Sequence, residues 1–220
     1  TNFTNSLLVG TSSTGTLSSA DGNTGVGIGV FGALTTGDNN VAVGLNALDV
    51  NTTGAENVAV GATALLDNTT GGNNVAIGLE ALQNNTTASG NVAIGRDSAG
   101  ANTTGSSNTA VGHLSLRANT TAFGNTAVGT ESLIANTTGD TNTAIGFKAL
   151  CTNTTAANNT AVGYSALRFN TTGFSNVSVG QGALQANTTA GNNTAVGRVA
   201  GNKTTTGCQN VAIGTFAHCV

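Results

Sequence analysis

From residue 40 onward the apolar and polar positions recur at one fixed interval. Asparagine stands at 40, 57, 74, 91, 108, 125, 142, 159, 176, 193 and 210, always 17 residues apart. Counting each such Asn as position 0, position 3 is Val or Ile and position 4 is Gly in all eleven units, from Val43 and Gly44 to Ile213 and Gly214. Position 2 is Ala except at Ser178, position 7 is Ala or Ser, and position 8 is mostly Leu. Positions 11 to 13 read Asn-Thr-Thr in nine successive units, from Asn51 to Thr189, and Thr204-Thr205-Thr206 in the tenth. Position 14 is Gly or Ala. No unit carries an insertion or deletion. Loops of a globular enzyme tolerate length changes; a stack of units that must stay in register does not.

Each unit predicts one turn of a coil. Positions 1 to 3 alternate β-branched, Ala, β-branched, which reads as a short strand with positions 1 and 3 inward. Gly at position 4 ends it. Positions 7 and 8 read as a second short strand with Leu inward. Asn-Thr-Thr-Gly is turn chemistry, because Asn tolerates left-handed geometry and Gly supplies positive φ. Glycines at several places, with many Thr and Asn, argue against helix. The expected fold is therefore all-β: a parallel β-solenoid, or β-roll, of about 11–13 coils with a 17-residue repeat. Stacking places identical residues above one another about 4.8 Å apart. Position 3 becomes a Val/Ile ladder, position 8 a Leu ladder, and the Asn of positions 0 and 11 amide ladders. Ala at position 2 is expected to face away from the core, as a tight seam between subunits. Residues 1–22 are expected to form an N-terminal strand and assembly segment, and 23–220 the solenoid.

Composition narrows the function. Of 220 residues only 7% are charged and none is Pro, Met or Trp. That charge content is far below the roughly 25% of ordinary globular proteins. No run of about 20 apolar residues exists to span a membrane. The net charge of −3 argues against a nucleic-acid partner. Disorder does not require Val, Ile and Leu at fixed positions. The sequence begins at Thr1 with no charged-then-apolar leader, as expected of a processed chain or a piece of a longer one.

The units Asn57-Val58-Ala59-Val60-Gly61 and Asn74-Val75-Ala76-Ile77-Gly78 resemble the repeats in the heads of trimeric autotransporter adhesins and the repeat regions of phage tail-fibre proteins. The resemblance covers roughly residues 23–220. It implies a parallel β-roll, commonly with three chains side by side, on a cell or virion surface. The period of 17 is longer than that of the adhesin heads, through the added Asn-Thr-Thr turn.

Candidate chemistry is sparse. His113 and His218 fall in different coils at different positions, and the nine acids are scattered, so no nucleophile–base set emerges. No enzyme activity is expected. No cofactor is expected either, since the glycines lack a strand–loop–helix context. Calcium-binding repeats need aspartate in every unit, and here the residue is neutral Asn. The Asn-Thr-Thr turns are formally N-glycosylation sequons, at Asn51, Asn68, Asn85, Asn102, Asn119, Asn136, Asn153, Asn170 and Asn187. A stacked turn explains the same residues without glycan. Ice binding would need two outward Thr per coil, and an adjacent pair turns only one outward. Cys208 and Cys219 flank the turn on adjacent coils as a candidate disulfide, leaving Cys151 free. The apolar strand Leu7-Leu8-Val9, with Val211 and Ile213 of the last unit, is expected to join copies head to tail by strand addition. The leading expectation is an extracellular filament subunit whose partner is itself. The alternative is a trimeric adhesin head or tail-fibre segment that binds a cell-surface receptor.

Overall fold

A computed structural model of the chain describes residues 5–10, 15 and 18–218. It is a β-solenoid. Thirteen three-residue strands follow one another: β1 (Leu7–Val9), β2 (Thr24–Val26), β3 (Val41–Val43) and so on to β12 (Thr194–Val196) and β13 (Val211–Ile213). They form one parallel sheet in sequence order, joined by twelve turns of the coil. Every residue pairs with the one 17 positions later: Ala110 lies beside Ala127, and Val111 beside Val128. Strand β1, from the segment 1–22, pairs with β2 in the same register and is the first strand of the same sheet. At about 4.8 Å per strand the rod is about 60 Å long.

The facing of the strand is the reverse of the expected one. Position 2 is inside: Ala42, Ala59, Ala76, Ala93, Ala110 and their successors are fully buried. Positions 1 and 3 face outward and are half-buried or exposed in every strand. Successive side chains of a strand alternate faces. Asn at position 0 points inward, so position 2 must point inward with it and positions 1 and 3 outward. The interior of a 17-residue coil is also narrow. Small Ala at positions 2 and 7 leaves room for the Leu of position 8, which is fully buried from Leu48 to Leu184 wherever it occurs. The single Ser of position 2, Ser178, is fully buried and donates its hydroxyl to the Ala183 carbonyl at 2.7 Å.

Positions 7 and 8 form no second strand. The backbone there turns, and the leucines of position 8 sit at φ 46–52°, the left-handed region. Position 6 adopts it too, as at Glu80 (φ 62°) and Asp97 (φ 55°), and so does position 16, as at Asn73 (φ 59°). A left-handed non-glycine residue costs about 1 kcal/mol or more. Hydrogen bonds between coils offset that cost: Leu65 N–H donates to Ala81 O at 3.0 Å, and Leu116 N–H to Ser132 O at 2.9 Å. Position 4 needs glycine outright. Gly112 has φ 134°, and a Cβ there would lie 2.7 Å from the carbonyl carbon and oxygen of Gly129 in the next coil.

Candidate functional site

Two internal ladders hold the coils together, and both are built from asparagine. At position 0 the backbone N–H of each Asn donates to Oδ1 of the Asn one coil earlier, at 2.9–3.0 Å from Asn40 to Asn210. Ser6 occupies the same place before them, and its Oγ accepts from Asn23 N–H at 2.9 Å. At position 11, from Asn68 to Asn187, each Nδ2 donates to Oδ1 of the Asn one coil earlier; Asn119 to Asn102 is 2.8 Å. The same Nδ2 also donates to the carbonyl three residues on, Asn119 to Ala122 O at 3.0 Å. That carbonyl accepts a second bond from Nδ2 of position 0, Asn108, at 2.8 Å. One position-14 carbonyl thus ties both ladders across the corner of the coil. The position-11 ladder is bounded where its residue type changes, at Leu34 on one side and at Thr204 on the other, and there Asn187 Oδ1 is left without a partner.

These ladders decide how the Asn-Thr-Thr turns are used. Asn51, Asn68, Asn85, Asn102, Asn119, Asn136, Asn153, Asn170 and Asn187 are each at most 1% exposed. From Asn68 onward each Nδ2 donates to two acceptors; Asn68 reaches Asn51 Oδ1 and Gly71 O, both at 2.9 Å. A glycan on Nδ2 is incompatible with this folded coil. The threonines of position 12 donate across coils, as Thr69 Oγ1 does to Thr86 O at 3.0 Å. In the nine Asn-Thr-Thr turns the position-13 threonine stands fully at the surface and the position-12 threonine is half-buried, which leaves a single outward column.

The outward surfaces differ in character. The sheet face, positions 1 and 3 of thirteen strands, holds Val, Ile, Thr and one Leu and no charged residue. All fifteen charged residues lie on the turns, at positions 5, 6, 9, 10, 15 and 16. The exposed large aromatics are Phe123, Phe147, Tyr164, Phe169, Phe174 and Phe216, all in the second half of the chain. Phe147 and Tyr164 stack in successive coils with centroids 5.5 Å apart.

The residues expected to join copies lie on the edge strands. Leu7 (56% exposed) and Val9 (51%) flank Leu8, which packs against the core. Val211 and Ile213 of β13 are about 70% exposed. Cys151 is buried and free, and burial pushes its thiol pKa up against the opposing effect of the nearby Arg168 guanidinium. Cys208 is exposed and free, and its expected partner Cys219 lies outside the described residues. His113 and His218 are exposed, in different coils. Among the described residues no group of three or more His, Cys, Asp or Glu could hold a metal ion, and no helix is long and apolar enough to cross a membrane.

Compared with protein families, with characterised proteins and with solved structures, the chain finds no match. The fold and the surfaces of the coil therefore carry the functional argument alone.

Proposed function

We propose that this chain is a structural rod that self-associates side by side through the outward face of its sheet, as the shaft or head of an extracellular fibre. One observation carries the reading: a face thirteen strands long, lined by Val, Ile, Thr and one Leu, from which every charge is excluded. The face is about 60 Å by about 10 Å. Two copies packed on it bury about 1,200 Å² in total, within the range of specific interfaces. An uncharged surface of this size, with Val or Ile at position 3 of every strand from β3 to β13, is unusual on a lone chain and marks an interaction site. Its constant register suits a second copy, because parallel rods can match strand against strand along their whole length.

Light scattering coupled to size-exclusion chromatography, with electron microscopy of the same sample, tests this. The expected species is a closed oligomer of rods packed side by side. The double variant Val111→Lys, Val128→Lys places two cations on the outward face and is expected to give monomers with an unchanged β-sheet spectrum. An oligomer that survives the double variant would overturn the lateral reading. Filaments one rod wide would point instead to stacking of β13 on β1.

A further inference from the structure

One interior coil departs from the repeat at positions 8 and 9, and a groove lies at the surface beside its position 9. Position 8 is Leu in every coil from Leu48 to Leu184 except one, where it is Ala99. The next residue, Gly100, has no side chain, while position 9 carries Gln83 one coil before and Arg117 one coil after. A groove of about 380 Å³ lies here, lined by Glu80, Gln83, Asn84, Asp97 and Arg117 over a floor of Gly100, Ala101 and Ala118. Its volume falls in the range of small-molecule sites.

The polar groups are arranged for a ligand that both donates and accepts hydrogen bonds. Asp97 and Glu80 occupy position 6 of successive coils, so two carboxylates stand one coil apart. Arg117 Nε binds Asp97 Oδ2 and fixes that carboxylate over Gly100, where an added Cβ would lie 2.2 Å from Asp97 Oδ1. Glu80 forms no ion pair among the described residues. Gln83 and Asn84 add amides that both donate and accept, and Arg117 has further N–H donors. Hydroxyl groups satisfy such a mixture, since each donates once and accepts twice. The groove's charge is −1, from two carboxylates and one guanidinium.

We propose that this groove binds a single saccharide residue, neutral or amino-substituted, with its hydroxyls on Glu80, Gln83, Asn84 and Arg117. The lateral sheet face plays no part in it, so the two proposals stand or fall separately. The groove has no aromatic lining. Binding to one sugar is therefore weak and rests on hydrogen bonds. Acidic sugars are disfavoured by the two carboxylates.

Saturation-transfer NMR on the full chain, with mannose, galactose, N-acetylglucosamine, glucosamine and glucuronic acid in turn, tests this. Transfer is expected to at least one neutral or amino sugar and not to glucuronic acid. Ala101→Phe fills the groove, and the repeat accepts Phe at this position, as Phe169 shows; it is expected to abolish transfer. Ala186→Phe, the same position in a coil without the groove, is expected to leave transfer intact. Glu80→Gln removes a charge-assisted hydrogen bond and is expected to weaken binding about tenfold. Transfer that persists in Ala101→Phe, transfer to none of the sugars, or calcium alone binding at Glu80 and Asp97 would each overturn the proposal.

Discussion

The strand side and the Asn-Thr-Thr side of each coil solve one problem by different means. On the strand side three residues per coil pair through the backbone ladder of a parallel sheet, and the side chain inside is Ala in most coils. On the turn side no strand forms; the backbone still bonds from coil to coil at position 12, as Thr69 N–H does to Thr86 O at 2.9 Å, and the amide of position 11 adds a buried ladder beside it, Nδ2 to Oδ1. A backbone amide donates once and accepts at its carbonyl; an Asn side chain reproduces both functions at the end of a short stem. A buried polar column can thus reinforce the short backbone ladder that remains where the chain must also turn, provided each member is satisfied by its neighbours.

The strand side breaks hardest. Ala110→Asp puts a carboxylate into a closed apolar column and is expected to cost about 4 kcal/mol or more. Its neighbour Val111→Asp points outward and is expected to cost less than about 1 kcal/mol at concentrations where the chain is monomeric. Equal shifts in the midpoint of chemical denaturation would contradict the assigned facing. The turn side comes next. Asn119→Ala removes donors to Asn102 Oδ1 and Ala122 O and the acceptor of Asn136 Nδ2. Asn102 Oδ1 loses its partner, while Ala122 O keeps the bond from Asn108 and Asn136 Nδ2 keeps the one to Gly139 O, so a cost of about 2–3 kcal/mol is expected. A loss under about 1 kcal/mol would mean that the amide column adds little to the backbone bonds of this side.

Gly112→Ala probes the corner where the strand side begins to turn. Positive φ and the contact with Gly129 both oppose a methyl group, and a cost of about 2–3 kcal/mol is expected in the same assay. The smallest effect concerns the thiols and leaves stability untouched. The raised pKa of Cys151 means less thiolate at any pH near 8, and its sulfur is buried. Iodoacetamide is expected to label Cys208 in the native protein well before Cys151, with the two rates converging in denaturant. Equal rates in the native state would place Cys151 at the surface.

Much of this architecture was written in the spacing alone. A period of 17 without insertion requires a stack in register, and the fixed Leu, Gly and Asn columns follow from identical residues lying one above another. The inward direction of Leu48, Leu65 and Leu82 was legible for the same reason. The facing of Val111 and Ala110 was not. Alternation gives two solutions of equal periodicity, and hydrophobicity favours the wrong one because Val is more apolar than Ala. What settles it is volume: the closed coil admits Ala opposite Leu and must keep its position-0 amides inside. The Asn-Thr-Thr triplet read equally well as an exposed turn, since turn propensity is local. Only the return of the chain above and below it supplies the Oδ1 and carbonyl acceptors that bury each amide. The groove beside Gly100 was likewise hidden, because it depends on which side chains flank a missing one in three successive coils. Sequence determined the repeat and therefore the stack; tertiary structure decided which side of each strand is inside, because that depends on how much space the closed coil encloses.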